Sequence, residues 1–327
     1  MAQTLSIDAS TLSTRFKLAS YFDTYFAGFD DASQDFYGGT PDSAFGGTYY
    51  MNGSQVLSTL SSGGTDSTSV VVMEGEELAY DFIHHGAGFG HGITGALDAL
   101  VFGTWVDGET TATQGTGESG EISNLDEGLI IDGFDLVAEP GAGSDASTNL
   151  VYAVYSAIGN LDADALFDLI SEYSVEIIGT RKNDMLGGFK GDDVLVGGGG
   201  NDTLRGRAND DTLIGGSGDD KLFGGRGSDV LKGGPGDDIL SGKQGMDWLT
   251  GGAGSDTFLI KSNADLEIIT DFVVGEDIID VTDLGFSSLS DFDVRETDGW
   301  VQLMGDDVKV RLMGYEFADL ADDMFVF

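Results

Sequence analysis

Aspartate recurs at every ninth position between residues 184 and 256, and a leucine or phenylalanine follows each aspartate two positions later. Carboxylates are hard oxygen donors, and like charges brought close together are tolerated when a hard cation lies between them. Oxygen ligands from side chains and turn carbonyls favour Ca²⁺. The spacing therefore predicts several Ca²⁺ sites, with ligands at Asp193, Asp202, Asp211, Asp220, Asp229, Asp238, Asp247 and Asp256.

Glycines surround most of these aspartates, as in the copy IGGSGDDKL. Because glycine adopts positive φ angles, each nonapeptide can form a six-residue turn followed by a three-residue strand, with the leucine inside and successive turns stacked. The copies at Gly179 and Gly206 have lost glycines, although Asn183 and Asn209 can enter the left-handed region. We expect weak or missing ions beside those two copies and at Lys243. An acidic disordered linker is the alternative, but it gives no reason for leucine to stay in phase.

The second group of reactive residues is the stretch YDFIHHGAGFGHGITG, from Tyr80 to Gly95, which contains all three histidines of the chain, His84, His85 and His91. A phenol with a pKa near 10 is a poor metal ligand unless a neighbouring base takes its proton, and an imidazole can do so. Tyrosinate is suited to ferric iron. A zinc site of the three histidines, a base at His91, or solvated histidines beside a core tyrosine are the alternatives.

Composition excludes several functions. The net charge of -42 repels nucleic acid and anionic membranes, and no Lys or Arg lies between Lys17 and Arg181 to hold an anion. There is no cysteine, no HExxH, no G-x-S-x-G, no apolar core for an N-terminal signal peptide and no apolar run of 18 residues. These features exclude a zinc protease, a lipase and an enzyme with a cysteine nucleophile, and they predict a protein that does not insert into membranes.

The elements that position these residues fall into three predicted segments: 1–177, 178–258 and 259–327. In the first, apolar spacing predicts a helix within Thr11–Phe29, short strands between Tyr37 and Leu136, a helix at Thr94–Phe102 and two helices within Leu150–Tyr173. This pattern indicates an α+β fold, an antiparallel curved sheet with helices on one face. Residues 259–327 are expected to form a β-rich cap.

The nonapeptide array resembles the RTX (haemolysin-type) calcium-binding repeats, whose frame is Gly-Gly-x-Gly-x-Asp-x-apolar-x. The resemblance implies an all-β right-handed parallel β-roll. Residues 259–327 resemble the segment that caps such rolls and carries an uncleaved signal for type I secretion, and an ordinary cap without signal function is the alternative. The expected partner is a type I secretion apparatus, and the expected location is extracellular.

Residues 1–177 are similar to the HasA-type haemophores in the order Tyr80, loop, His91, GITGALDALVFG and EGLIIDGFDL. The resemblance implies ferric haem b, with Tyr80 as iron ligand and His91 as its hydrogen-bond partner. The family's second ligand has no counterpart in GFDDASQDFYG, so His84 or His85 supplies it, water fills it, or the iron has Tyr80 alone. The expected haem-packing residues are Tyr37, Phe82, Ile83 and Phe89.

Together these features predict a secreted haemophore with a Ca²⁺-dependent roll as its folding and secretion module. The resemblance implies that haem comes from host or environmental haemoproteins and passes to an outer-membrane receptor. The alternative is a non-haem RTX surface protein or adhesin.

Overall fold

The computed structural model describes residues 4–10, 12, 16–37, 52–62, 65–80, 93–105, 125–138, 150–262, 264–297, 299–305 and 308–327. The chain divides into two compact units. The N-terminal unit comprises Gln3–Thr11 and Ala19–Ser171. The roll unit comprises Met1–Ala2, Leu12–Leu18 and Glu172–Phe327.

The N-terminal unit contains an antiparallel sheet with the strand order β1-β6-β5-β4-β3-β2. Irregular register in the β3, β4 and β5 pairings marks β-bulges, which bend a sheet. Its strands are β1 (Thr4–Asp8), β2 (Asp31–Tyr37), β3 (Asn52–Ser62), β4 (Thr65–Tyr80), β5 (Ile93–Trp105) and β6 (Leu125–Ala138).

Three helices accompany this sheet: α1 (Leu18–Phe26), α2 (Leu150–Gly159) and α3 (Ala163–Ile170). Aromatic rings of α1 contact buried Phe102 of β5, and α2 contacts β2, β5 and β6. Asp162 caps α3, because its Oδ1 accepts the Ala165 N–H at 3.0 Å. The predicted α+β class and the two helices of Leu150–Tyr173 are confirmed.

The predicted helix at Thr94–Phe102 is wrong, because these residues lie in strand β5. Leu97 and Leu100 are buried three residues apart, a spacing that also occurs on a helical face. Glu74 of β4 pairs with Ala99 and Gly75 pairs with Leu97, so Asp98 is an extra residue in β5, and this bulge breaks the two-residue alternation expected of a strand. The helix predicted within Thr11–Phe29 exists but begins only at Leu18.

Phe16 explains this late start. Its N–H donates to Asp184 Oδ1 at 2.6 Å, and its carbonyl accepts the Met185 N–H at 2.9 Å. The Phe16 side chain is buried as well. The residue therefore covers the first turn of the roll unit instead of extending the helix.

The roll unit is a parallel β-solenoid of about six turns over residues 176–280. Successive nonapeptides alternate between two parallel sheets, so one coil takes 18 residues, as in the pairing of Leu213 with Leu195 and Leu231. One sheet contains β7 (Ser174–Ile178), β9 (Val194–Gly199), β11 (Thr212–Ser217), β13 (Val230–Pro235) and β15 (Met246–Ala253). The other contains β8 (Met185–Gly187), β10 (Thr203–Ala208), β12 (Lys221–Arg226), β14 (Ile239–Gln244) and β16 (Thr257–Leu259).

The repeated apolar residues form the core between these sheets. Leu195, Leu204, Leu213, Leu222, Leu231, Leu240, Leu249 and Phe258 are 0% exposed. Full burial of such a side chain stabilises a fold by roughly 1.5–3 kcal/mol. The in-phase leucine thus accounts for the stacking, and the predicted β-roll is confirmed.

The C-terminal part continues both sheets and is β-rich, as predicted. Strand β17 (Leu266–Ile269) pairs with β15, and β18 (Ile278–Asp280) pairs with β16. The antiparallel strands β19 (Asp293–Thr297), β20 (Trp300–Met304) and β21 (Lys309–Met313) follow. The last strand, β22 (Phe325–Val326), pairs with β18. None of the helices in the described ranges is long and apolar enough to cross a membrane.

Candidate functional site

In the seven nonapeptides from residue 196 to 258, the turns depend on positive φ angles at the third and fifth positions, as at Gly216 (φ 112°) and Gly218 (φ 118°). Arg207 (φ 91°) and Asn209 (φ 73°) adopt the same backbone in a copy that lacks both glycines. The prediction for Asn209 is therefore confirmed. That for Asn183 is wrong, because Asn183 occupies the sixth position and does not have a positive φ.

The repeated aspartates form two ladders along the stacked turns. Oδ1 of each aspartate from Asp202 to Asp256 accepts the backbone N–H of the aspartate 18 residues earlier, at 2.7–2.9 Å. These side chains are at most 1% exposed. One oxygen of every carboxylate is thus used to hold the next coil in register.

The other carboxylate oxygen has no such partner. Oδ2 is buried without a hydrogen-bond partner in Asp202, Asp211, Asp220, Asp229, Asp238, Asp247 and Asp256. Leaving a buried polar atom unsatisfied costs about 1–3 kcal/mol, and more when the group is charged. Seven such oxygens in one array form a row of buried acceptors that a cation would satisfy.

The glycines show what surrounds these oxygens. A Cβ added to Gly233 would clash with Asp238 Oδ2 and with the carbonyl oxygen of Gly251 one coil further on. A Cβ on Gly234 would clash with the carbonyl oxygen of Gly216 on the preceding coil. The space beside each glycine pair is therefore bordered by carboxylate and carbonyl oxygens, the donor set that Ca²⁺ prefers.

The protonation of the ladder follows from its burial. Burial raises the pKa of Asp220, Asp229 and Asp238 to about 6, against an ordinary value of 3.8. Burial, together with a smaller effect of neighbouring carboxylates, raises the pKa of Asp202, Asp211, Asp247 and Asp256 to about 7. Charged forms of these groups are therefore disfavoured unless positive charge is supplied.

Both ladders are closed at their first coil, and the ladder that contains Asp256 is also closed at its last coil. Asp184 Oδ2 accepts the Thr180 N–H at 2.6 Å and its hydroxyl at 2.8 Å, and Asp193 Oδ2 accepts the Phe189 N–H at 2.6 Å. At the other end, Asp277 accepts the N–H groups of Asp256 and Val273 at 2.9 and 2.7 Å. The weak site predicted beside Gly179 stays a prediction. Those predicted beside Gly206 and at Lys243 stay predictions, because Asp211 and Asp247 have open oxygens.

Tyr80 is the last residue of β4, and its backbone pairs with Ile93 at the start of β5. Tyr37 ends β2, which runs in the same direction as β4 on the far side of β3, so both residues lie at the same end of the sheet. Most of the segment Gly28–Gly38 forms the edge strand β2. The other residues predicted for haem lie outside the described residues: His84, His85, His91, Phe82, Ile83 and Phe89.

Within the part of the chain that the structure describes, no group of three or more His, Cys, Asp or Glu side chains is placed to hold a metal ion. The donors assembled in the roll are single carboxylate oxygens and backbone carbonyls.

A family model, the RTX calcium-binding nonapeptide repeat, matches four times, at residues 176–204, 187–222, 197–231 and 232–259. The chain therefore carries RTX calcium-binding repeats, which imply Ca²⁺ binding. RTX repeats are typical of secreted proteins. No curated protein matches the chain.

Several solved structures are similar to parts of the chain. The AlgE6R3 subunit of the mannuronan C5-epimerase from Azotobacter vinelandii is 30% identical, over 37% of this chain and 79% of that one, with a TM-score of 0.32. Holo hemophore HasA from Yersinia pestis is 17% identical, over 52% and 89%, with a TM-score of 0.35. Extracellular lipase LipA from Serratia marcescens is 18% identical, over 47% and 40%, with a TM-score of 0.26. Similarities at these TM-scores carry no argument about ligand or activity.

Proposed function

We propose that the chain is a secreted haemophore: a roll that folds on binding several Ca²⁺ ions supports an N-terminal unit that captures ferric haem b. The protein is a binding protein and not an enzyme. The repeated open Oδ2 of the buried aspartates is the observation that carries the calcium part. For haem, the support is the pairing of Tyr80 with Ile93, two residues after His91 in the sequence.

The calcium ligands in this proposal are the seven aspartates from Asp202 to Asp256 with open oxygens, together with turn carbonyls. Asp193 is assigned to the closed end of its ladder, because the Phe189 N–H already binds its second oxygen. Bound Ca²⁺ supplies positive charge and accepts six to eight oxygen ligands. Folding is thereby coupled to Ca²⁺, since the unfolded chain has no assembled site.

In the N-terminal unit, Tyr80 is the proposed iron ligand and His91 the base that accepts the phenol proton by hydrogen bonding. His84 or His85 supplies a second ligand, or none is present. Tyr37, Phe82, Ile83 and Phe89 pack on the porphyrin. Haem brings ferric iron, for which tyrosinate is an established ligand. The absence of Lys and Arg between residues 17 and 181 requires the propionates to point into solvent.

The sheet supports this assignment through its strand order. Tyr37 and Tyr80 are carried to one end of the sheet by β2 and β4, two strands of a bonded array. Backbone pairing with neighbouring strands fixes where these two strands end, which suits ligand capture because less ordering is needed on binding. Captured haem is then delivered to an outer-membrane receptor, and host or environmental haemoproteins are its source.

The C-terminal residues support export before folding. Met324 and Phe325 are buried, and β22 pairs with β18 of the roll. A secretion signal in this segment is accessible to a type I secretion apparatus only while the roll is unfolded. Folding then follows outside the cell, where Ca²⁺ is available.

The haem proposal is tested by adding ferric haem to the chain refolded in Ca²⁺ and recording the visible spectrum. We expect a Soret shift in the wild type and in Tyr155→Phe, a control in helix α2, and its loss or displacement in Tyr80→Phe. No shift in the wild type would refute haem capture and leave the non-haem RTX surface protein. A shift unchanged by Tyr80→Phe would refute only the ligand assignment.

A further inference from the structure

Glu267 lies in β17, beyond the last nonapeptide and beyond the segment matched by the repeat family, which ends at residue 259. It is 0% exposed. In the parallel pairing of β15 with β17, Glu267 stands directly opposite Asp247, the last aspartate of its ladder. A glutamate outside the repeat thus occupies the place where the next aspartate of that ladder would lie.

The hydrogen bonds of Glu267 use one oxygen only. Its carboxylate accepts the backbone N–H groups of Lys243 and Gly242, with Oε1 at 3.0 Å from the Lys243 nitrogen. Oε2 is buried without a partner. Asp271 makes the equivalent cap on the next copy, but both of its oxygens are used, by the N–H groups of Gly251 and Gly252 at 2.9 Å. Capping of backbone N–H groups therefore accounts for both oxygens of Asp271, but for only one oxygen of Glu267.

The open oxygen of Glu267 lies among others of the same kind. Asp247 Oδ2 is buried and unpartnered, and so is the hydroxyl of Ser241, the residue before Gly242. The ammonium of Lys243 lies over the Phe223 ring, 5.2 Å from its centroid. Two buried carboxylates on facing positions of adjacent strands can both be charged only with a counter-charge beside them.

We propose that Glu267 Oε2 and Asp247 Oδ2 hold one further Ca²⁺ ion, which ends the row of sites from outside the nonapeptide frame. The open donors are oxygens only, and oxygen donors favour a hard divalent cation over a transition metal. The proposal rests on the calcium function of the roll but adds a ligand that the repeat pattern does not contain.

The test is the number of Ca²⁺ ions bound per full-length chain, measured by equilibrium dialysis after refolding, for the wild type, Glu267→Gln and Asp271→Asn. Glu267→Gln keeps the size of the side chain and its Oε1 acceptor but removes the charge. We expect it to bind one ion fewer than the wild type. Asp271→Asn is expected to retain the full number, because Asp271 has no open oxygen.

A full complement of ions in Glu267→Gln overturns the proposal while leaving the calcium function of the aspartates intact. A wild type that binds no Ca²⁺ overturns both. If Glu267→Gln fails to fold, the same dialysis is carried out with Glu267→Asp, which keeps the charge but places the carboxylate one methylene group further from Asp247. One ion should then bind at least tenfold more weakly, and unchanged affinities for all ions would refute the site.

Discussion

Asp229→Asn distinguishes the hydrogen bond that a ladder aspartate makes through Oδ1 from the Ca²⁺ ligation proposed for its Oδ2. Asp229 Oδ1 accepts the Asp211 N–H at 2.9 Å, and an asparagine oxygen can keep that bond. Asp229 Oδ2 is buried and open, and the amide nitrogen that replaces it cannot ligate a cation. The substitution therefore removes a Ca²⁺ ligand with little change in packing, and we expect the variant to bind at least one ion fewer.

The magnitude follows from linkage. An ion that binds only the folded chain adds about 1.4 kcal/mol of stability for each tenfold increase in Ca²⁺ above its Kd. When Ca²⁺ is raised a hundredfold above the Kd, the free energy of unfolding should therefore increase by about 2.7 kcal/mol less in Asp229→Asn, which has lost one ion, than in the wild type. Both proteins are unfolded in urea at several Ca²⁺ concentrations, with far-UV circular dichroism as the readout.

Asp184→Asn is the matched control, since it has the same place in the repeat but an Oδ2 closed by Thr180. Its amide cannot accept those hydrogen bonds, so we expect a loss of about 1–3 kcal/mol that is the same at every Ca²⁺ concentration. If the free energy of unfolding depends on Ca²⁺ equally in both variants, or as steeply in Asp229→Asn as in the wild type, the open oxygens do not mark the calcium sites.

Three further outcomes are expected. Burial raises the pKa of Asp229 to about 6 and of Asp247 to about 7. The Ca²⁺-free roll is therefore most stable below about pH 4 and loses stability as the pH rises through about 6 to 7. Circular dichroism in the presence of a chelator should show less β structure at about pH 8 than at about pH 4.5. Gly233→Ala should lose a bound ion in dialysis, because its methyl group would meet Asp238 Oδ2, whereas Gly275→Ala, with open space around it, should retain all ions and lose only about 1–2 kcal/mol. Leu231→Ala should cost about 2–5 kcal/mol in urea denaturation at any Ca²⁺ concentration, since Leu231 is fully buried.

Helix prediction from the spacing of apolar residues failed in two places, at Thr94–Phe102 and at Phe16. Leu97 and Leu100 are spaced like residues of a helical face, but β4 and β6 pair with β5 on both sides, and a bulge at Asp98 accounts for the odd spacing. Phe16 similarly fits the helical pattern of its neighbours, yet its backbone hydrogen bonds go to Asp184 and Met185. Neither partner is close in sequence, so no local pattern could have identified them.

The nonapeptide period by itself determined the parallel roll, its leucine core and the class of ion, because every copy repeats the carboxylate and the apolar residue in phase, most of them within a glycine turn. Only the tertiary structure decided which carboxylates are open. That choice depends on donors such as the Thr180 and Phe189 N–H groups, and on a neighbouring coil 18 residues away. Glu267 became part of the ladder for the same reason, since the pairing of β17 with β15 places it opposite Asp247.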